Sequence, residues 1–418
     1  MGTFQKPACL VFLLIMAVFI VITYVHDVTR MAVLNDFADF GSYYFYSKAM
    51  NLKYNAYRLD DAAIDGLRTK FGMPVFNYPT LQSPIFFFLI GFITFFKFRP
   101  AAVVWLILNS ALVLASLLLI VGMICEERKD IEKWFLLLTS LFLVFAFQPL
   151  LENMAVGQVN VPILFFLALC LYFLRRSRPA LAGIMLSFAI LIKMHFGLLL
   201  LFFLWKRRYR VIISTAAAWV LLELAGMLRY GPAIEKDYWI TCGEFFFGRV
   251  ARDISLGNYS IGPLICRVCA DHFCNKFPLI VSGGIIVISL FFAAYALYHT
   301  RRAYAGTDMR FMLEFSLFLL AIFITFPHIL DHHHVILYIP ILLVWALLIE
   351  RYDRGAFIAF LCSFLLIALK YAFGRFPMLK SGVLSIITGL KIYGVILLFF
   401  LAAYMIRKRF QKIGEGGS

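Results

Sequence analysis

Five short polar stretches of this 418-residue chain carry residue types that do chemistry, and each lies between long apolar runs. The first is Asp36-Phe37-Ala38-Asp39-Phe40-Gly41-Ser42-Tyr43-Tyr44. A carboxylate set among aromatic rings is partly desolvated, which suits it to take a proton from a hydroxyl nucleophile. Asp39 is the candidate base, with Tyr43 and Tyr44 as candidate substrate contacts; the competing reading is a solvated loop acid. The second is His328-Ile329-Leu330-Asp331-His332-His333-His334. Successive histidines suggest a metal at first sight. Neighbours on a helix point about 100° apart, however, and cannot all ligate one ion; zinc ligands are spaced more widely. No metal site is expected. His332 is instead the candidate catalytic imidazole, steadying an anionic group or orienting the carboxylate, with Asp331 and His333 as substrate contacts. The competing reading is a polar cap on a helix end.

The third stretch is Lys193-Met194-His195, between two apolar half-helices. An ionisable residue at membrane depth usually faces a cavity, which makes Lys193 a candidate ligand for substrate; snorkelling to the headgroups is the alternative. The fourth holds Arg249, Arg252 and Asp253, followed by Gly257-Asn258-Tyr259-Ser260-Ile261-Gly262. Guanidinium forks can grip a phosphate, or equally an anionic lipid, and Asn258 and Ser260 are candidate contacts beside them. The fifth is Gly157-Gln158-Val159-Asn160. The amides of Gln158 and Asn160 suit sugar hydroxyls or a helix cap.

The elements that must hold these residues are membrane helices. The chain is 63% hydrophobic and 15% charged, against about 25% charged in soluble domains. Runs such as Cys9–Tyr24, Ala101–Ile124, Leu279–Leu297 and Val383–Ile406 approach or exceed the roughly 17–25 residues that cross a bilayer. With 46 phenylalanines and few alternating polar positions, a barrel is disfavoured. The expected fold class is an all-α multi-pass membrane bundle of about 12–13 transmembrane segments.

The net charge of +16 does not point to nucleic acid. Its cations cluster at the ends of apolar runs, at Arg175, Arg176 and Arg178, Lys206 to Arg210, Arg301 and Arg302, and Arg407 to Arg409. That is the signature of cytoplasmic helix ends. On this map the first segment is a retained helix, since Lys6 precedes an apolar stretch without a small-residue cleavage site. Two long outer loops follow, 25–79 and 228–278. Pro179 to Trp205 forms two short helices meeting at Lys193 on the outer side. His328–His334 falls on that side too, and the carboxyl terminus lies inside. An odd count of segments is reconciled if Ile85–Phe96 does not cross. A single membrane domain spans 1–413, and Gly-Glu-Gly-Gly-Ser at 414–418 reads as a tail. Among eight cysteines, Cys242, Cys266, Cys269 and Cys274 fall in the second loop, where one or two disulfides are expected rather than a metal.

Taken in order, Asp39-Phe40 with Tyr43-Tyr44, Asn77-Tyr78-Pro79 before Pro84, Gly157-Gln158-x-Asn160, Ala182-Gly183 followed by Lys193, Asn258-Tyr259-Ser260, and Pro327 to His333 form a pattern. It resembles the polyprenol-phosphate-mannose-dependent mannosyltransferases, GT-C-fold membrane enzymes of glycosyltransferase family 87, the PimE-like group. The likeness runs over nearly the whole chain. Phe326 stands where serine is usual, Tyr259 replaces glutamine, Phe196 replaces a proline, and Asp331 adds an acid. The resemblance implies transfer of a mannosyl or related sugar from a polyprenyl phosphate to an acceptor hydroxyl of a glycan or glycolipid. It implies an active site on the outer face of the cell (inner) membrane, with Asp39 as base. His332, Lys193 and an arginine would stabilise the phosphate leaving group. A single inverting displacement needs no metal or other cofactor, and a monomer suffices. Two rival readings stay open: another polyprenyl-phosphate sugar such as a pentose, and a lipid or solute transporter using Lys193 and the histidines as relay groups.

Overall fold

The structure is a computed structural model that describes residues 7–34, 37–76, 81–126, 130–245, 253–269, 278–301 and 308–410. Among these residues every regular element is helical. The first half runs α1 Pro7–Leu34, α2 Ala38–Asn51, α3 Asp61–Lys70, α4 Pro84–Leu89, α5 Phe98–Cys125, α6 Asp130–Phe145, α7 Gln148–Val156, α8 Asn160–Arg175 and α9 Pro179–Ile192. The second runs α10 Leu199–Trp205, α11 Tyr209–Tyr230, α12 Pro232–Glu244, α13 Ile261–Val268, α14 Pro278–His299, α15 Met309–Thr325, α16 Tyr338–Glu350, α17 Arg354–Ala368 and α18 Leu390–Phe410.

Among the described residues, six helical segments are long and apolar enough to cross a membrane. The count is seven if α6 and α7, bent by 57°, form one span. Four more apolar helices are shorter. The protein is therefore an all-α multi-pass membrane protein. Several of the segments expected from the sequence are short or broken helices rather than full spans. Ile85–Phe96 is one of them: it divides into α4 and the tight turn Gly91–Phe95. The first long loop is shorter than expected, because α1 continues to Leu34. Both expected loops are largely helical, holding α2 and α3 in one and α12 and α13 in the other. They are pinned together where Arg58 and Asn55 both reach Asp237 at 2.7 Å. The expected disulfides are not formed at Cys242 or Cys269, which are free thiols; Cys274 lies outside the described residues. The Cys242 thiol instead faces the Leu81 carbonyl from the buried side of α12.

In lipid, helices associate through close packing and hydrogen bonds rather than by expelling water. Small residues accordingly sit where backbones meet. A Cβ on Gly183 would lie 1.9 Å from Ser214 Oγ and 2.5 Å from the Val211 carbonyl, so only glycine lets α9 approach α11. Thr215 Oγ1 closes that contact on the Gly183 carbonyl at 3.0 Å. α9 packs in turn on α8, and α8 on α5. In the second half α18 packs against α15, α16 and α17. Breaks in these helices expose the polar stretches. Lys193 adopts extended backbone (φ −142°, ψ 108°) between α9 and a tight turn leading to α10. Pro327, which has no N–H to continue a helix, follows the end of α15. The tight turn Asp331–Leu337 then packs on α7 and α8.

Candidate active site

The acid comes first. α2 begins at Ala38 behind Phe37, whose backbone is left-handed (φ 53°, ψ 54°). A non-glycine residue there stores about 1–3 kcal/mol of strain, and the strained corner sits two residues from Asp39. Asp39 lies in the first turn of α2, where the helix dipole favours a negative charge. Gln158 Nε2 donates to its carboxylate at 2.9 Å. The Gln158 amide is held the right way round because Oε1 accepts from Tyr43 Oη at 2.9 Å and from the Val159 N–H at 3.2 Å.

Gln158 reaches Asp39 because of the residue before it. Gly157 ends α7 in left-handed conformation (φ 72°), and a Cβ there would lie 2.5 Å from Phe40 Cβ. Backbone sign and space both demand glycine. Trp105 Nε1 fixes the Gly157 carbonyl at 2.8 Å. Two residues on, Asn160 opens α8 with its side chain fully buried. Its Oδ1 accepts from Lys193 Nζ at 2.7 Å, and its amide donates to Asn153 Oδ1 at 3.0 Å. The Gly-Gln-x-Asn turn therefore hands one amide to the acid and the other to the cation.

Lys193 joins the rest of the cluster. Its ammonium lies within electrostatic reach of the Asp39 carboxylate and of the imidazoles of His328, His332 and His333. His328 Nδ1 lies 3.1 Å from Asp253 Oδ2. Burial holds His328 below the ordinary imidazole value; Asp253 opposes that shift and Lys193 adds to it. His333 Nδ1 accepts the Leu330 N–H at 3.1 Å, which leaves its proton on Nε2 when the ring is neutral. His332 packs edge-on against His333 with ring centres 4.7 Å apart. The His332 ring is buried, and its Nε2 has no hydrogen-bond partner among the described residues. A buried imidazole nitrogen without a partner is costly unless a ligand completes it. Among the described residues no group of three or more His, Cys, Asp or Glu side chains could hold a metal ion.

The structure thus brings together Asp39, Tyr43, Gln158, Asn160, Lys193, His332 and His333. Other expected residues are placed differently. Tyr44, about 100° round the helix from Tyr43, turns away: its hydroxyl donates to the Phe96 carbonyl at 2.8 Å and accepts from Lys48 at 3.1 Å. Asn258 and Ser260 are fully buried and bond to the protein itself. Asn258 donates to the carbonyls of Asp253 and Pro327 and accepts from Ser260 and the Ile329 N–H. They staple the second loop to the histidine turn rather than face a ligand. Asp331 pairs with Lys391 at 2.9 Å. Arg249, Arg252, Asp36 and Asn77-Tyr78-Pro79 lie outside the described residues.

Two buried cations were missed by the reading of the sequence. Arg267, 1% exposed, donates to the carbonyls of Ile254, Ser255 and Asn258 and so shapes the second loop. Lys391 lies at the start of α18 with a side chain that is 0% exposed. The signal for Lys391 was available: it is a lone cation inside the apolar run Val383–Ile406, the same anomaly that singles out Lys193.

Beside the cluster, α10, α14 and α15 enclose an apolar groove of about 1150 Å³. Leu198 and Thr325 line one end, and Lys206, Arg207, Arg208 and Arg301 the other. The first end adjoins the cluster in sequence and in space, since His195 stacks on Phe326 with ring centres 4.2 Å apart.

A family model described as glycosyltransferase family 87 matches residues 78–327, more than half of the chain. The match takes in Gln158, Asn160, Lys193 and Asn258, whereas Asp39, the Asp331–His333 turn and Lys391 lie outside it. No curated protein matches the sequence at a significant level.

Proposed function

The chain belongs to glycosyltransferase family 87, and from that premise we propose that it moves a mannosyl or related residue from a polyprenyl phosphate to an acceptor hydroxyl. Asp39 is the general base. The acceptor hydroxyl attacks the anomeric carbon as its proton passes to the Asp39 carboxylate. The bond from that carbon to the phosphate oxygen breaks, and the electron pair leaves with the polyprenyl phosphate. Anomeric configuration inverts in this reading, because a single displacement with one carboxylate acting as base is the simpler mechanism. Lys193 and the free Nε2 of His332 meet the charge that develops on the leaving phosphate, and His333 lies alongside. Gln158 keeps Asp39 oriented, and Tyr43 keeps Gln158 oriented.

One observation carries this reading above all. The only cation bonded to the Gly-Gln-x-Asn turn among the described residues, Lys193, is within electrostatic reach of both the acid and the histidines. A proton acceptor and an anion stabiliser within electrostatic reach of each other are what such a transfer needs. The apolar groove ending beside this cluster supports a lipid-linked donor, since a prenyl chain is bound by apolar area rather than by hydrogen bonds. On the positive-inside map the cluster faces outward, toward a glycan or glycolipid acceptor. The protein's own cations are sufficient for a phosphate monoester leaving group, so the reading calls for no cofactor.

The test incubates purified protein with labelled polyprenyl-phosphate-mannose and membrane extract. Wild type transfers the label to an acceptor and Asp39→Asn does not. Absence of transfer from any carrier lipid would remove the enzymatic reading, and full transfer by Asp39→Asn would remove Asp39 as the base.

A further inference from the structure

Lys391 is the most deeply buried lysine beside the cluster and belongs to none of the steps above. Its ammonium has three protons and meets three acceptors: Asp331 Oδ1 at 2.9 Å, the Ile367 carbonyl at 2.6 Å and the Leu369 carbonyl at 2.8 Å. The rings of Tyr259 and Tyr371 flank it at 5.7 and 5.5 Å. Sinking an ammonium to full burial costs several kcal/mol of desolvation, and a well-packed apolar side chain is often as stable or better. Packing alone therefore does not explain a lysine here. What the lysine adds is direction.

That direction converges on residue 331. The Asp331 carboxylate is held by Lys391, and its backbone carbonyl accepts from His334 Nδ1 at 2.9 Å. Residue 331 is thus fixed at both ends, and the next residue is His332. Tyr259, under the Lys391 ammonium, adds a third tie through its N–H to the Ile329 carbonyl at 2.7 Å. Two other charges face the pair from α7 and from the segment after α17. Glu152 is within electrostatic reach of both Lys391 and Asp331. Lys370 is 63% exposed and lies 3.7 Å from Glu152, so it does not supply the buried contact that Lys391 makes.

We propose that Lys391 is a positioning residue: by anchoring Asp331 it aims His332 and His333 at the reacting groups and couples the last helix to the site. The inference rests on the glycosyl-transfer reading but can fail separately from it.

The experiment compares wild type, Lys391→Met, Lys391→Arg and the double variant Lys391→Met/Asp331→Asn. All are full-length proteins in detergent, with thermal unfolding recorded alongside transfer kinetics. Lys391→Met is expected to lower kcat about 10- to 100-fold, the usual effect of a misplaced catalytic group, with little change in donor KM. Lys391→Arg, which keeps a charged donor toward Asp331, recovers part of kcat. The double variant removes the unpaired buried carboxylate, so it regains thermal stability while kcat stays low. Should Lys391→Met not fold, the double variant carries the test. A purely structural lysine would give the opposite result, with kcat recovering together with stability in the double variant, and that outcome overturns the proposal. Diethylpyrocarbonate labelling of His332, mapped by mass spectrometry, gives a readout that needs no activity. Its rate is expected to change severalfold in the double variant, and an unchanged rate also overturns the proposal. If wild type transfers no sugar, the functional reading fails while the labelling still decides whether Lys391 sets His332.

Discussion

The last helix, α18, carries a lysine–aspartate pair near each end, and the two pairs are in opposite situations. Lys391 and Lys408 lie about 25 Å apart along the helix. Lys391 is 0% exposed in its pair with Asp331, whereas Lys408 is 45% exposed in its pair with Asp353. At the Lys408 end, Tyr404 and the N-cap role of Asp353 toward the Ala356 N–H complete the arrangement. Nothing there points at a vacant valence. Burial alone is not the distinction, because Glu314 near the same end is fully buried between Lys206 at 2.6 Å and Arg310 at 3.1 Å. The difference is closure. The ionic groups at that end pair with one another, while beside Asp331 at the Lys391 end the buried Nε2 of His332 has no hydrogen-bond partner among the described residues. A charge cluster built only to hold helices can close on itself; one built to meet a substrate must leave something open.

The comparison predicts a gradient of effects. Asp39→Asn at the open end removes the proton acceptor, and transfer should fall by about 10²–10⁴-fold with the fold intact, read by transfer kinetics and thermal unfolding together. Lys193→Met should follow, with kcat down by about 10²–10³-fold, because the leaving phosphate loses its nearest cation. Retained activity in that variant would break the comparison outright. Gly157→Ala perturbs both levels at once. It forces a side chain into left-handed backbone and onto Phe40, so destabilisation of more than about 1 kcal/mol should accompany an activity loss smaller than for Lys193→Met. Rescue of its activity at low temperature would show that Gln158 is displaced rather than lost.

Asp353→Asn at the closed end should do least. Asparagine keeps the N-cap, an exposed pair contributes little to stability, and transfer should be unchanged. The pair also has a pH signature. Hydrogen bonds from Lys408, the Ala356 N–H and Tyr404 hold the Asp353 carboxyl below its ordinary value of 3.8. A depressed folded-state value means that the stabilisation is present above about pH 4 and fades as pH falls further. Thermal unfolding at pH 6 and pH 3 should therefore differ less in Asp353→Asn than in wild type. A large loss of transfer in this variant would show that the two ends are not independent.

Much of the site was legible because rare residues stand out in an apolar chain. Lys193 between two half-helices, the Gly-Gln-x-Asn stretch and the aspartate after the first helix were all visible, and geometry then joined them. Other candidate residues are placed apart from the cluster for identifiable reasons. Tyr43 and Tyr44 are equivalent as letters, but one step along a helix sends the second toward Phe96. Asn258 and Ser260 have the chemistry of ligands and the surroundings of staples, and only the carbonyls they meet tell these apart. Asp331 stands beside the histidines in sequence, but its carboxylate meets Lys391, sixty residues away.

The sequence by itself determined that this is a helical membrane protein and marked some of the places where its helices break, such as Lys193. Both follow from local rules: apolar length for a span, and a proline or lone cation for an interruption. Tertiary structure alone decided which polar groups meet. Gln158 faces Asp39 because Gly157 lies against Phe40, and Asn160 faces Lys193 because α9 stops short of it. Asp331 meets Lys391 because the last helix, from the far end of the chain, brings the ammonium to it. Hydrogen-bond partnership depends on positions in three dimensions to within about an ångström, and no spacing along the chain carries that information.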